Sequence, residues 1–410
     1  MNHKFSIITP AHKNTPYHQE LYDSILAQTY TNWEWILWLN NDIKRDLLPK
    51  EFEEDDRVII YETDNTSKNV GYHKHHAFHK GTGDVLVEVD SDDLIDPKCL
   101  QLLNKAYQDP EVGFAYSDAA IWDDTFVPYN EDHGWTHYPY KFRDKVLTTM
   151  RTWEPSSHSL GFIWYAPDHV RSWRKDIYHQ IGGHNEDLSI CDDHELMIRT
   201  YMVTKMHHVK KPLYIYRVTG DNTWLERNEK IQTETVRLFN ENAYALAERD
   251  ANLRGLLKVD MGGGLFPRPG YLTIDQEGAD ITCDLNEGIP LQDNSVGILN
   301  ASHVIEHLRD PIKTMREIHR VLAHGGWAMI EVPSTDGRGA WQDPTHVSFW
   351  NEHSFWYYTD INKAQFIRNH DIRFQTYRLD TWEMQPKIPV VTAWLVAIKD
   401  QKRLPGILSI

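Results

Sequence analysis

Cysteine is scarce in this chain: Cys99, Cys191 and Cys283 are the only three among 410 residues. An odd, widely spaced set supports neither a disulfide framework nor a zinc site, so reduced thiols in core or near-site positions are expected. Long apolar runs are missing as well. None approaches the roughly 18 residues a membrane span needs, and the polar start Met1-Asn2-His3-Lys4 lacks a signal-peptide pattern. A soluble, cytoplasmic protein is expected. Positive charge is in short supply too, with 43 Lys and Arg against 60 Asp and Glu and a formal net charge of −17. That balance argues against nucleic-acid binding through the overall field, although a local basic strip remains compatible with it. What the chain does have is a 40% hydrophobic content with 15 Trp and 20 Tyr, enough at this length for two domains with filled cores.

The stretch Val85-Leu86-Val87-Glu88-Val89-Asp90-Ser91-Asp92-Asp93 is an apolar run that ends in carboxylates. It predicts a buried strand, bounded by Gly81 and Gly83 before and Asp96-Pro97 after, with the acids at its carboxyl end. Ligands bind at that edge of an open parallel sheet. Crowded carboxylates repel one another unless a cation sits among them, and hard oxygen donors suit Mg²⁺ or Mn²⁺, the usual companions of a nucleoside diphosphate. An acidic loop capping the next helix fits the same spacing. Upstream, Phe5 to Pro10, Trp33 to Leu39 (ending at Asn40-Asn41-Asp42) and Arg57 to Tyr61 read as further strands. Helices are expected near Gln19 to Gln28 and around Lys74 to Lys80. The alternation predicts an α/β, doubly wound parallel sheet whose strand ends at Pro10, Asn40 and Asp90 line one crevice.

The ordered set Phe5-Ser6-Ile7-Ile8-Thr9-Pro10, Ser24 to Tyr30, Asn69-Val70-Gly71, Gly83-Asp84 and Asp90-Ser91-Asp92-Asp93 continues through Gly182-Gly183-His184 and Asp192-Asp193-His194-Glu195-Leu196-Met197-Ile198-Arg199 to Tyr214-Ile215-Tyr216-Arg217. Taken together it resembles the family 2 glycosyltransferases of the GT-A, Rossmann-like fold. The resemblance implies a domain over 1–235 that transfers sugar with inversion from a nucleoside-diphosphate sugar, a UDP-sugar first among donors. It implies Asp92 as ligand of Mn²⁺ or Mg²⁺, Asp90 on the ribose or sharing the metal, and Pro10, Ala11 and His12 around the nucleotide. By its place in the motif Asp193 is the catalytic base, with Asp192 beside it raising the apparent pKa of a jointly titrating pair. Acids at the positive end of the helix from His194 to Tyr201 would also place Asp192 and Asp193 there without catalysis.

Two positions depart from the family pattern. Asn40 stands where many members carry an aspartate that reads uracil, and Asn offers both donor and acceptor. No histidine follows Tyr216-Arg217, where members often place a metal ligand, so Asp221 or water would substitute. For the acceptor, the segment Trp153 to Lys175 combines aromatic faces with cationic forks, and Trp153, His169, Arg171, Trp173 and Arg174 are the candidates. Trp164, Tyr165 and Trp173 also suit a core. His207-His208 among Lys205, Lys210 and Lys211 reads as a solvated edge.

A polar helical connector is expected over 236–253, with Val236, Phe239, Ala243 and Leu246 as its apolar stripe. A second fold spans 254–400, followed by a tail at 401–410. Its strands are expected at Leu256 to Asp260, Tyr271 to Asp275, Asp280 to Leu285, Val296 to His303 and Trp327 to Pro333. A helix from Pro311 to Leu322 and a late hairpin complete it. With Gly262-Gly263-Gly264, Val304-Ile305-Glu306-His307-Leu308 and Arg320 to Gly326 it resembles a class I S-adenosylmethionine-dependent methyltransferase. The resemblance implies Gly262 and Gly264 against the cofactor, Asp275 on its ribose and Asp284 near the adenine. Only Leu265 to Gly270 separates the glycines from the next strand, too short for the usual helix. A degenerate domain that packs or docks is therefore expected, with the acceptor a saccharide or small-molecule hydroxyl. Three rival readings remain: a hydroxylated base in DNA as acceptor, served by a groove of Arg171, Arg174, Lys175, Lys205, Lys210 and Lys211; a bifunctional glycosyl- and methyltransferase; and a non-catalytic nucleotide-sugar scaffold.

Overall fold

The apolar runs form the strands of two separate sheets. The computed structural model describes residues 1–40, 43–128, 134–220, 222–368 and 370–400; Asn41, Asp42, Asp221 and the tail 401–410 lie outside the described residues. The chain divides at Ala243 and Tyr244 into two compact units, and the division falls within the helical segment Thr223–Leu253, which is kinked at Arg227.

In the first unit, β1 (Phe5–Ala11), β2 (Trp33–Leu39), β3 (Val58–Glu62) and β4 (Val85–Glu88) form the expected parallel set, in the order β3-β2-β1-β4. Buried aromatic and β-branched residues make it cohere: Phe5, Ile7, Trp35, Leu37, Val85 and Val87 share one core. The sheet then departs from the all-parallel expectation. After the short β5 (Leu94–Ile95), β6 (Val112–Trp122) and the hairpin β7 (His137–Phe142) with β8 (Lys145–Met150), the four-residue β9 (Arg171–Arg174) inserts antiparallel between β4 and β6. β10 (Lys205–Arg217) runs parallel to β6 and antiparallel to β5. The insertion has a consequence for the site, because it pairs Glu88 with Arg171 at one end of β9 and Val85 with Arg174 at the other.

The helix Val70–Phe78 packs Gly71 so tightly on the segment 185–188 that a Cβ there would lie 2.0 Å from the Asn185 carbonyl oxygen. Gly71 also donates its amide to Leu188. This contact seats the turn that leads into the helix Asp192–Val203. In Thr223–Leu253, Phe239, Ala243 and Leu246 are buried as expected, but Val236 is 51% exposed and Thr235 and Leu238 take the inward positions instead.

The second unit has a seven-stranded sheet in the order β13-β12-β11-β14-β15-β17-β16. Its strands are β11 (Leu257–Met261), β12 (Leu272–Asp275), β13 (Ile281–Thr282), β14 (Val296–Ser302), β15 (Leu322–Pro333), β16 (Phe374–Gln385) and β17 (Ile388–Ala397). The sheet is parallel through β15 and closes with an antiparallel hairpin. The helix Pro311–Val321 starts on Asp310, whose carboxylate accepts from the Ile312 and Lys313 amides, with Pro311 next in line. No helix forms between β11 and β12. Among the described residues no helix is long and apolar enough to cross a membrane.

Candidate functional site

The carboxyl end of β4 holds a buried charge that the surrounding sequence leaves no choice but to neutralise. Glu88 follows three apolar residues, is fully buried, and receives Lys74 from the helix Val70–Phe78 at 2.5 Å. Arg171, across the sheet in β9, lies 3.9 Å from the other oxygen of Glu88 and donates to Asp193 at 2.6 Å. Lys74 also reaches Asp192 at 3.6 Å. Burial opposes the charge on Lys74, but Asp192, Glu88, Asp90 and Asp193 outweigh it and hold the ammonium well above its usual range. Glu88 is likewise penalised by burial, yet Lys74 and Arg171 carry it down to about 2. One buried cation thus gathers acids from the end of β4 and from the first turn of the helix Asp192–Val203.

The two adjacent aspartates split in character. Asp192 points inward, its Oδ2 makes no hydrogen bond, and burial pushes its carboxyl up to about 6. Asp193 is the more exposed of the two, at 19% against 5% for the side chains. Burial opposes its charge as well, but Arg171 and then Lys74 hold its carboxyl below the usual carboxylate range. The expectation that the pair rises together is thereby corrected: the arginine contacts one member only.

The three acids after β4 also differ. Asp93 is buried and accepts the Arg217 amide at 2.7 Å, which ties the end of β10 to the acidic turn. Asp90 and Asp92 stay half-buried. Burial, then Glu88 and Asp92, push Asp90 up to about 7 despite Lys74. Two hard carboxylates that repel each other at a strand end fit a divalent ion that arrives with a diphosphate. Among the described residues no third ligand completes a cluster there, and Asp221 lies outside the described residues.

Pro10, Ala11 and Asn40 meet where β1 and β2 end side by side, the Asn40 amide donating to Ala11 at 2.9 Å. The Asn40 side-chain oxygen is buried without a hydrogen bond. His12 follows directly and is exposed. A surface cleft of about 480 Å³ is lined by Asn14, Thr15, Pro16, His18 and Gln19 with Leu47, Leu48 and Pro49.

The acceptor candidates need correction. Arg174 sits at the far end of β9, where its guanidinium donates to the carbonyls of Val112, Tyr107 and Asp109. Trp173 is fully buried, its indole N–H on Thr200 Oγ1. Trp153 is covered in a cluster with Trp135 and Tyr165. Arg171 and His169 lie at the site but beneath it: both are buried, and His169 is 4.0 Å from Glu88. Burial, then Arg171, lowers the His169 ring to about 3. Of the basic residues considered for a DNA groove, Arg171 and Arg174 are turned into the protein, while Lys205, Lys210 and Lys211 are exposed. Lys175 donates to the Gly81 carbonyl, Lys205 pairs with Asp109 at 2.8 Å, and Lys210 lies 3.7 Å from Glu154.

Sequence reading missed two features. The charge of Glu88 inside an apolar strand was the available signal for a buried cation, and Lys74 supplies it. His208, read as part of a solvated edge, is instead a clamp: its side chain is 3% exposed and bridges Asp118 and Glu154, each at 2.8 Å.

In the second unit, Gly262 has φ +80° and a Cβ there would lie 2.1 Å from Val304. The glycine loop folds down on the acid meant for the cofactor. Asp275 accepts the Gly264 amide at 2.9 Å through one oxygen and the Gln276 amide at 2.6 Å through the other. Asp284 is exposed and bonded to Asn286. With no helix after the loop to offer amides, these residues do not fit S-adenosylmethionine.

Comparison with known proteins agrees with both folds. Residues 6–162 match the model of Glycosyl transferase family 2, and residues 270–330 match the model of a Methyltransferase domain. The chain thus carries a family 2 glycosyltransferase domain followed by a methyltransferase domain, and the second match begins beyond Gly262 to Gly264. Glycosyltransferase GlyA of Streptococcus pneumoniae serotype 4 is 23% identical over 284 residues, 64% of this chain. The match spans 38% of that relative's length. Among solved structures, S. aureus TarS 1-349 in complex with UDP aligns at 15% identity with a TM-score of 0.45, over 61% of this chain and 70% of that one. The mannosyltransferase PcManGT from Pyrobaculum calidifontis, in complex with GDP-Man and Mn²⁺, aligns at 15% identity with a TM-score of 0.42, over 62% and 75%.

Proposed function

We propose that the first unit transfers a sugar, with inversion and with Mn²⁺ or Mg²⁺, from a nucleoside-diphosphate sugar to a hydroxyl of a saccharide or small molecule. The observation that carries this reading is the buried cluster at the end of β4, where Lys74 meets Glu88 at 2.5 Å and Asp192 at 3.6 Å while Arg171 holds Asp193 at 2.6 Å. Asp90 and Asp92 hold the divalent ion, which when bound neutralises the diphosphate leaving group. Pro10, Ala11, His12 and Asn40 contact the nucleoside, a uridine first among candidates. Asp193 takes the acceptor proton. Its pairing with Arg171 keeps it ionised at neutral pH and fixes its direction, at the expense of basicity, so the acceptor hydroxyl must displace part of that ion pair as the proton moves. Lys74, Glu88 and Arg171 are positioning residues beneath the two acids. The second unit is a degenerate methyltransferase domain with a structural or docking role.

The test is incubation with a panel of UDP- and GDP-sugars, each metal in turn, and saccharide, small-molecule and hydroxylated-DNA acceptors. Nucleoside diphosphate release and the anomeric configuration of the product are read together. Acceptor-dependent release with an inverted product is the expected result. Metal-dependent nucleotide binding without any release would turn the reading toward a scaffold, and no nucleotide binding at all would end it.

A further inference from the structure

The second unit carries a set of donors that the glycosyl-transfer reading does not use. β14 ends at Ser302, and the next residues, His303-Val304-Ile305-Glu306-His307, turn back at the carboxyl edge of the sheet. Val304 and Ile305 are buried, which anchors the turn. Glu306 comes with them: it is 2% exposed, and neither of its carboxylate oxygens makes a hydrogen bond. A carboxylate desolvated to that extent calls for a cation beside it.

A second segment is clipped over it. The amides of Val347 and Ser348 donate to the Glu306 carbonyl at 2.9 and 3.0 Å, and Ser348 Oγ donates to the Ile305 carbonyl at 2.9 Å. These bonds bring His346 to the carboxylate, with Nε2 4.0 Å from Oε1. Ligand atoms of Glu306, His307 and His346 all lie within 4.8 Å of one another. Atoms sharing a tetrahedral ion at bond lengths near 2.0–2.1 Å are about 3.3 Å apart, so a side-chain adjustment of roughly 1 Å closes the set.

The two imidazoles are already oriented for this task. His346 Nδ1 bonds the Ala340 carbonyl at 3.0 Å, and His307 Nδ1 lies 3.2 Å from the Thr345 carbonyl. A carbonyl accepts only, and Thr345 Oγ1, 3.1 Å from His307 Nδ1, gives its own proton to Asp343 at 2.6 Å, so each ring keeps its proton on Nδ1 and leaves a lone pair on Nε2, the outer-shell arrangement found around histidine ligands. His303 Nδ1, 3.5 Å from Glu306 Oε1, stands as an outer partner of the carboxylate.

We propose that Glu306, His307 and His346 bind a divalent transition-metal ion of the zinc class at the carboxyl edge of the second sheet. Two imidazoles and one carboxylate select zinc, cobalt, nickel or ferrous iron over magnesium, and three protein ligands leave a position open to water or an oxyanion. The proposal is independent of the sugar-transfer reading, because every ligand lies in the second unit.

The experiment uses the tag-free full chain carrying Asp92→Ala, which removes the metal ligand proposed for the first unit, freed of metal by chelation. Titration with Co²⁺ is followed by visible absorption and then by displacement with Zn²⁺. One equivalent, with the intense d–d bands of low coordination, is expected. Affinity should fall at least about tenfold in Glu306→Gln and in His307→Gln, since even outer partners of ligands act on that scale. His307 is half-buried, so its replacement leaves the core in place, and circular dichroism checks the fold of both variants. Absence of a saturable cobalt spectrum, or a spectrum that both variants leave unchanged, would show a hydrogen-bonded His and Glu cluster only and overturn the proposal.

Discussion

Replacing Lys74 with Met removes the one charge that Glu88, Asp192, Asp90 and Asp193 share, while keeping the length and apolar volume of the side chain. At an effective dielectric near 20, a charge pair at 2.5 Å attracts by about 6–7 kcal/mol. Each ion has lost several kcal/mol of hydration against that gain, and removal of one partner from a buried pair costs about 3–5 kcal/mol net. For a unit of this size that is a fall in melting temperature of about 6–20 °C. The penalty has a pH signature. Glu88 is held at about 2, below its unfolded value, so its contribution is complete above that unfolded value and is lost as pH falls through the folded one. The Lys74→Met defect is therefore largest near pH 7 and shrinks toward pH 4, where the unpaired carboxylate takes up a proton. Hydrogen exchange of peptides from 70–90 and 190–203 in urea isolates the first unit from the second. The double variant Lys74→Met with Glu88→Gln should recover part of the loss, because the fully buried Glu88 charge is gone and only the more distant Asp192 still lacks its contact with the ammonium. A single-variant cost within about 0.5 kcal/mol, or strictly additive losses in the cycle, would refute the argument.

Five further outcomes are expected. Asp92→Ala should abolish transfer and metal-dependent nucleotide binding while circular dichroism shows the fold kept; full activity in that variant would remove the metal site. Asp193→Asn should keep donor affinity and lose about 10²-fold or more in turnover. The acid limb of the pH–rate profile separates the two neighbours: with Asp193 as base it lies below the usual carboxylate range, whereas a limb near pH 6 would point to Asp192. Because Asp90 titrates at about 7 without metal, Mn²⁺ must displace its proton at pH 6 and not at pH 8, so Mn²⁺ should raise the melting temperature more at pH 8; equal shifts would place the ion elsewhere. Calorimetry with S-adenosylmethionine should give no saturable heat below millimolar cofactor, and micromolar binding would reinstate the methyl-donor site.

The strands of the first sheet were legible because each is a short apolar run bounded by turn residues; Trp33–Leu39 falls where its pattern puts it. The acids after Val89 were legible as a strand-end cluster for the same reason. What the pattern does not carry is the direction in which a strand enters the sheet. Arg171 and Arg174 are alike in type and three positions apart, yet an antiparallel β9 sends one to Glu88 and the other to Val85, and only the first can act on Asp193. That pairing is a long-range choice, made by the packing of β4 and β6 on either side of β9. Composition misled at His208 for a related reason. Its lysine neighbours mark a wet strand edge, but the register slips between Val209 and Pro212, and His208 turns inward onto Asp118 and Glu154 while Lys205, Lys210 and Lys211 stay exposed. Burial does not remove the ring's charge, because hydrogen bonds to both carboxylates raise its pKa above the ordinary histidine value. A histidine raised in the folded state contributes stability that is complete below its unfolded pKa and lost as pH rises through the folded one. His208 thus contributes stability near pH 6 that is lost toward pH 8, opposite in sign to buried histidines such as His169, whose lowered pKa favours the higher pH; His208→Gln should therefore make stability rise more steeply from pH 6 to pH 8 while costing about 1–3 kcal/mol at the lower pH. An unchanged slope in the variant would mean that the ring is neutral between its two acids and would refute the charged clamp.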